Sequence, residues 1–122
     1  MHNRREFLTG TLTGLMTVAL SPMAFAANSA PVLGAELYTV RKLAQKDLPG
    51  TLAAVRKIGY RTVETYGDLY KMSAADLRKA ILHAGLSVPS GHFGYEDFDT
   101  RFDYAKELGL RYMICSSVPE SL

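Results

Sequence analysis

A four-part pattern occurs three times along this chain and limits how it can fold. A helix-forming segment is followed by a glycine, one large apolar residue and a β-type segment, as in "KIGY", "HAGL" and "ELGL". Glycine at Gly59, Gly85 and Gly109 is typical of the left-handed residue that follows a helix. Strands that alternate with helices form right-handed β-α-β units, so the pattern predicts an α/β fold with a parallel sheet.

Four strands and three helices are predicted from this pattern. Pro49 suits the first turn of one helix, and Ser73 is a good N-cap for another, with Asp76 three residues later in a near capping box. The predicted buried positions of the last two helices are Leu77, Ile81, Leu82, Phe98, Phe102, Ala105 and Leu108. The predicted strands are residues 32–40, 60–66, 86–93 and 110–117, and the predicted helices are residues 49–59, 73–85 and 96–109.

The regular spacing of the units favours a barrel. A doubly wound sheet is the alternative, but it usually carries a glycine-rich phosphate loop after the first strand, and "LYTVRKLAQKD" has no glycine. A (β/α)8 TIM barrel needs eight strands and about 250 residues. Residues 32–122 are therefore predicted to be the first four β-α units of such a barrel, part of a longer protein. A half-barrel that forms a homodimer through its open edges is the alternative.

The N-terminal residues 1–26 have the composition of an export signal. Arg4 and Arg5 precede an uncharged apolar stretch that ends in the small-residue motif "AFA". The arginine pair resembles a twin-arginine signal, which predicts a periplasmic or secreted protein. Glycines and a proline inside the stretch disfavour an uncleaved anchor, so no stable membrane anchor is expected after cleavage. Residues 27–31 are predicted to be a linker.

The charge and cysteine content exclude some classes of partner. The 14 basic and 12 acidic side chains include three from the signal, so the remainder is nearly neutral. There is no basic run, and no nucleic-acid partner is expected. The single cysteine, Cys115, cannot form an internal disulfide, and its position in "YMIC" predicts a small buried side chain.

Polar residues near the ends of the predicted strands are the candidate site. In a parallel barrel, active groups lie at the carboxyl ends of the strands. Glu64, late in the second strand, and His92, late in the third, are the predicted catalytic residues. Taken singly, Glu64 also suits an exposed ion pair and His92 a hydrogen bond in the core. The residues predicted to contact substrate are Glu36 and Tyr38, which would share one face of the first strand, together with Arg41 and Ser90.

Several motifs in order along the chain resemble a known family. In "AELYTVRKLAQKDLPGTLAAVRKIGYRTVETYG", "SGHF" and "ELGLRYMI", the chain is similar to the xylose-isomerase-like barrels that include sugar phosphate isomerases/epimerases. The resemblance covers nearly all of the chain after the signal. It points to Glu64 of "VE" and His92 of "SGH". Glu36 is a departure, because many relatives have glutamine there.

The resemblance implies a divalent metal, Mn²⁺, Mg²⁺, Co²⁺ or Zn²⁺, at the barrel mouth. Two carboxylates there move a proton between adjacent carbons of a sugar or polyol. The family's principal metal ligands come from later strands, so none is expected within this chain, which should be inactive alone. The alternatives are a non-catalytic periplasmic sugar-binding half-barrel, a dehydratase and an endonuclease-type phosphodiesterase. The near-neutral charge disfavours the last of these.

Overall fold

A computed structural model of the protein describes residues 30–121. These residues form four strands and four α-helices, joined in part by 3-10 turns at Leu37–Val40, Gly67–Lys71 and Asp99–Arg101. The elements in chain order are β1 (Gly34–Glu36), α1 (Arg41–Lys46), α2 (Leu48–Ile58), β2 (Thr62–Thr65), α3 (Ala74–His83), β3 (Ser87–Phe93), α4 (Phe102–Leu108) and β4 (Tyr112–Cys115).

The N-terminal predictions concern a part of the chain that the structure does not describe. The predicted signal, residues 1–26, lies outside the described residues, as does most of the predicted linker. Within residues 30–121, no helix combines the length and the apolar character needed to cross a bilayer.

The four strands form one parallel sheet in the order β1-β2-β3-β4. Each strand is thus paired with its neighbour in sequence, as in the wall of a barrel, whereas a doubly wound sheet reverses its strand order near the middle. The predicted partial (β/α) barrel is confirmed. In the described part of the chain, β1 and β4 are the two edges of the sheet.

The helix boundaries follow from the predicted local signals. Ser73 caps α3, because its Oγ accepts a hydrogen bond from the Asp76 backbone N–H at 3.1 Å and donates one to the Asp76 carboxylate at 2.8 Å. Three residues in the described chain have positive φ, and they are the three glycines of the repeated pattern, Gly59 (125°), Gly85 (75°) and Gly109 (90°). Only glycine adopts these angles at little cost, so the repeat fixes where each helix ends.

Alternation along the strands gives the sheet two different faces. Val63 on β2 and Phe93 on β3 are buried in one apolar cluster with helix residues such as Leu52, Leu77 and Leu108. The strand residues next to these, Glu64 on β2 and His92 on β3, point the other way. They are polar and only partly buried. The helices therefore cover one face of the sheet, and the polar groups occupy the opposite face.

The first predicted strand and the last predicted helix are much longer than the elements observed, and the last predicted strand, residues 110–117, is observed only at Tyr112–Cys115. The first predicted strand, residues 32–40, is extended only at Gly34–Glu36, because Leu37 turns into the apolar cluster and is fully buried there. Tyr38 therefore does not share a strand face with Glu36, and Arg41 begins helix α1. The last predicted helix, residues 96–109, is α-helical only at Phe102–Leu108.

Two residues predicted to be buried are exposed. Phe102 is 55% exposed, since it is the first residue of α4. Its ring contacts the Phe98 ring edge-on, with the centroids 6.0 Å apart. Leu82 is 53% exposed, because the buried side of α3 is formed by Ala74, Leu77 and Ile81 at spacings of three and four residues.

Gly91 lies in β3 where two buried side chains come very close to the backbone. The Thr65 and Tyr70 hydroxyls are hydrogen-bonded to each other at 3.1 Å, and Tyr70 stacks on Phe93 with ring centroids 4.5 Å apart. A Cβ at Gly91 would lie 2.5 Å from the oxygen of each hydroxyl. The packing therefore requires glycine at this position, between Ser90 and His92.

We expect Gly91→Ala to lower the free energy of unfolding by about 1–3 kcal/mol, because the added methyl group overpacks the Thr65–Tyr70 pair. Gly67→Ala is the matched control, since a Cβ there meets no atom within 4 Å. Urea unfolding followed by circular dichroism measures both. Equal stability of the two variants would contradict the packing described for Gly91.

Burial raises the pKa of the Tyr70 phenol above its ordinary value of 10.0. Above that pH the unfolded chain loses a proton that the folded chain keeps, so stability falls as pH rises, by up to about 1.4 kcal/mol per pH unit. We expect Tyr70→Phe to reduce this slope, measured as the urea midpoint between about pH 10 and pH 11. Parallel pH profiles for the two proteins would show that Tyr70 is not the group responsible.

Candidate active site

The polar face of the sheet brings together four predicted site residues. Glu36 on β1 is aligned with Glu64 on β2, and Glu64 is aligned with Ser90 on β3. His92 is two residues beyond Ser90 and therefore on the same face. Because the strands are parallel, these side chains gather toward the carboxyl ends of the strands.

Glu64 is held at both of its oxygens. Its Oε1 lies 2.6 Å from His92 Nε2, and its Oε2 accepts a hydrogen bond from the Ser90 hydroxyl at 2.5 Å. Glu36 Oε1 lies 3.8 Å from the same His92 nitrogen. The Glu64 and His92 side chains are 25% and 24% exposed, so the pair is shielded from water without being sealed off.

The contact with Glu64 also defines the histidine tautomer. An ionised carboxylate only accepts hydrogen bonds, so Nε2 of His92 carries the hydrogen that is donated to Glu64. A carboxylate that orients an imidazole in this way suits proton transfer at the other ring nitrogen, and also the binding of a hydroxyl group.

A cavity of about 550 Å³ lies beside this pair. Its residues come mainly from the ends of the strands and the segments that follow them. They are Glu36, Tyr38, Tyr66, Gly67, Asp68, His92, Phe93, Gly94 and Ser116. The volume is within the range of about 300–1,000 Å³ that is usual for small-molecule sites.

Tyr66 is a cavity residue whose role the sequence did not reveal. It is 4% exposed, and its hydroxyl has no hydrogen-bond partner among the described residues. Burial raises the pKa of the Tyr66 phenol, and the charge of Asp68 raises it further, so Tyr66 stays protonated near neutral pH. The available signal was the sequence "ETYGD", which places an aromatic and an acidic residue directly after a strand.

The remaining predicted substrate contacts are placed differently. Tyr38 lines the cavity from the 3-10 turn after β1, with its ring edge-on to Tyr66 at a centroid distance of 5.6 Å. The Arg41 guanidinium packs over the Tyr38 ring at 4.1 Å and donates to the Tyr38 carbonyl at 2.9 Å, and it does not line the cavity. Glu64 and Ser90 are also not cavity-lining, so Glu64 reaches the cavity through its bond to His92.

The donor set at the strand ends also fits a metal ion. Glu36, Glu64 and His92 each offer one ligand atom, and these atoms lie within 4.8 Å of one another. Carboxylate oxygen and imidazole nitrogen are common ligands of divalent metals. The sequence predicted no metal ligands within this chain, because the resemblance places them on later strands.

Comparison with known proteins shows the fold. No family model matches the chain, and no curated protein does. Among solved structures, the chain is similar to a sugar phosphate isomerase/epimerase from Parabacteroides distasonis, with a TM-score of 0.60 and 22% sequence identity. The likeness covers 77% of this chain and 41% of that one, so this chain spans less than half of that protein's length. At this identity the likeness shows the fold alone, a partial α/β barrel, and the predicted xylose-isomerase-like family and twin-arginine signal stay predictions.

We expect ¹⁵N NMR at neutral pH to show hydrogen on Nε2 of His92, because the Glu64 carboxylate accepts from it. His83, which is exposed on α3, serves as the internal reference without such a partner. Glu64→Ala should expose the His92 Nε2 hydrogen to faster exchange with water. A His92 signal typical of bare Nε2 would contradict the hydrogen bond on which this site depends.

Proposed function

We propose that this chain forms one side of the substrate site of an exported sugar isomerase/epimerase, which moves a proton between adjacent sugar carbons. The observation that carries the proposal is the hydrogen-bonded Glu64–His92 pair, placed at the carboxyl ends of parallel strands beside a cavity. Active groups of barrel enzymes lie at this end of the strands. The fold shared with a sugar phosphate isomerase/epimerase adds support at the level of fold alone.

His92 is proposed to exchange a proton with the substrate, because it lines the cavity and is oriented by Glu64. Glu64 stabilises the positive charge that develops on the ring when it accepts a proton. Tyr38, which lines the cavity and is half exposed, offers aromatic surface to the apolar side of a sugar ring. Asp68 also lines the cavity, and its carboxylate, already contacted by Gln45 and Lys71, can accept further hydrogen bonds from sugar hydroxyls.

The whole enzyme is proposed to need a divalent metal, Mn²⁺, Mg²⁺, Co²⁺ or Zn²⁺. When bound, such an ion polarises a carbonyl or hydroxyl oxygen and so lowers the cost of proton removal from the neighbouring carbon. The described residues supply only one side of a barrel mouth. We therefore propose that this chain binds a sugar or polyol but does not turn it over.

A non-catalytic sugar-binding module is the second candidate. Both Glu64 oxygens already accept hydrogen bonds within the protein, which suits a fixed binding surface as well as an acid–base pair. Metal dependence separates the two candidates, because simple capture of a sugar through hydrogen bonds and aromatic contacts needs no metal.

Sugar binding and proton exchange on the 122-residue chain test the proposal. A panel of ketoses and aldoses, with and without phosphate, is screened by saturation-transfer NMR, and deuterium uptake at C1 and C2 is followed in D2O with added Mn²⁺. We expect binding that His92→Asn weakens at least about tenfold, because the ring nitrogen that hydrogen-bonds the sugar is lost. Deuterium uptake should stay at the background of a Glu64→Gln sample.

The control variant is His83→Asn. It removes an exposed imidazole at the last residue of α3 and should leave sugar binding unchanged. The proposal fails if no sugar binds, or if His92→Asn and His83→Asn behave alike. Deuterium uptake above the Glu64→Gln background would show that this chain is active alone. Binding that is the same with and without metal would favour the sugar-binding module.

A further inference from the structure

We propose that Glu36, Glu64 and His92 form a binding site for a first-row divalent transition metal within this chain itself. The site differs from the later-strand ligands that the family resemblance implies. It does not depend on the proposed sugar chemistry, and it is measured with no sugar present.

The distances suit one ion shared by the three side chains. His92 Nε2 lies 2.6 Å from Glu64 Oε1 and 3.8 Å from Glu36 Oε1. Metal–ligand bonds of about 2.0–2.2 Å place neighbouring ligand atoms roughly 3–3.6 Å apart. The observed separations lie on either side of this range, so an ion can be accommodated by side-chain shifts of under about 1 Å. When Nε2 binds the metal, the ring changes tautomer and its hydrogen lies on Nδ1 instead.

The charges of the three residues are also unbalanced without a cation. Glu36 and Glu64 are directly aligned on adjacent strands, an arrangement that is unfavourable for two like charges. Within residues 30–121, His92 is the one basic side chain within 4.0 Å of either carboxylate. The nearest arginine along the chain from Glu36, Arg41, is engaged with Tyr38 instead.

The backbone holds the three ligands on rigid elements rather than on loops. They come from β1, β2 and β3, where Glu36 is aligned with Glu64 and Glu64 with Ser90, after a shift in the β2–β3 register just before Glu64. The Ser90 hydroxyl fixes Glu64 Oε2 and leaves Oε1 directed at His92, which is the outer-shell support usual for a metal-binding carboxylate. This preorganisation distinguishes the site from a cluster of acidic groups on a surface.

The ligand type selects the metal class. One imidazole with two carboxylates suits Zn²⁺, Co²⁺ or Mn²⁺ better than Mg²⁺ or Ca²⁺, which prefer oxygen ligands alone. Three protein ligands also leave coordination positions for water or a substrate oxygen. Glu36 and His92 line the 550 Å³ cavity, so these positions are accessible from it.

Cobalt binding to the full 122-residue chain tests the site. The protein is freed of metal with EDTA and titrated with Co²⁺, and binding is followed by visible d–d absorption and by calorimetry. We expect one ion per chain and a rise in the unfolding temperature, because the ion binds only the folded arrangement. Glu36→Gln and His92→Asn should each weaken binding by at least about tenfold and abolish most of the thermal shift.

Two matched controls keep the result specific. Asp68→Asn removes the carboxylate of a residue that lines the same cavity, and His83→Asn removes an exposed imidazole on α3. Neither substitution should change the affinity for Co²⁺. Glu36 is 41% exposed, so Glu36→Gln should leave the protein folded, and circular dichroism checks this.

The inference is overturned if Co²⁺ neither absorbs nor stabilises the chain. It is equally overturned if Glu36→Gln binds Co²⁺ as tightly as the unmodified chain does, or if either control weakens binding as much as the ligand variants. If the chain binds Co²⁺ but no sugar, the result counts against the proposed function and leaves the metal site standing.

Discussion

The packing of β2 and β3 against the helices is the constraint on which the site depends. Thr65, Gly91 and Phe93 are buried on the covered face of the sheet, where Tyr70 fills the space between them. Because side chains alternate along a strand, fixing these residues also fixes those between them. The position of His92 is therefore a consequence of how its two neighbours are packed.

Glu64 shows why a carboxylate can occupy a strand that otherwise looks apolar. Its neighbours in sequence, Val63 and Thr65, are buried under the helices, while Glu64 points to the opposite face. There it meets Ser90 and His92, which satisfy both of its oxygens. A partly buried carboxylate is tolerable when it is hydrogen-bonded in this way, and it then becomes a fixed point around which a site can be built.

Local signals in the sequence were sufficient for much of the fold. The left-handed glycines, of which Gly59 is one, follow from backbone sterics that no distant contact changes. The cap at Ser73 involves atoms only three residues apart. The alternation of helices and strands predicted a parallel sheet. The nearly constant length of the connections predicted that each strand pairs with the next one in sequence, as in the wall of a barrel. Glu64 and His92 stood out because both lie late in predicted strands.

Contacts between distant parts of the chain decided the rest. Leu37 is drawn into the apolar cluster, which ends β1 early and moves Tyr38 onto a turn, and no local preference of "LYTV" reveals this. The Glu64–His92 bond joins residues 28 positions apart, so it depends on strand alignment. The place of Glu36 beside them follows from the same alignment. The sequence by itself determined that helices and strands alternate and where the three helices followed by glycine stop, because those choices are made over a few residues. Only the tertiary structure decided which polar side chains meet, because that depends on packing across the whole sheet.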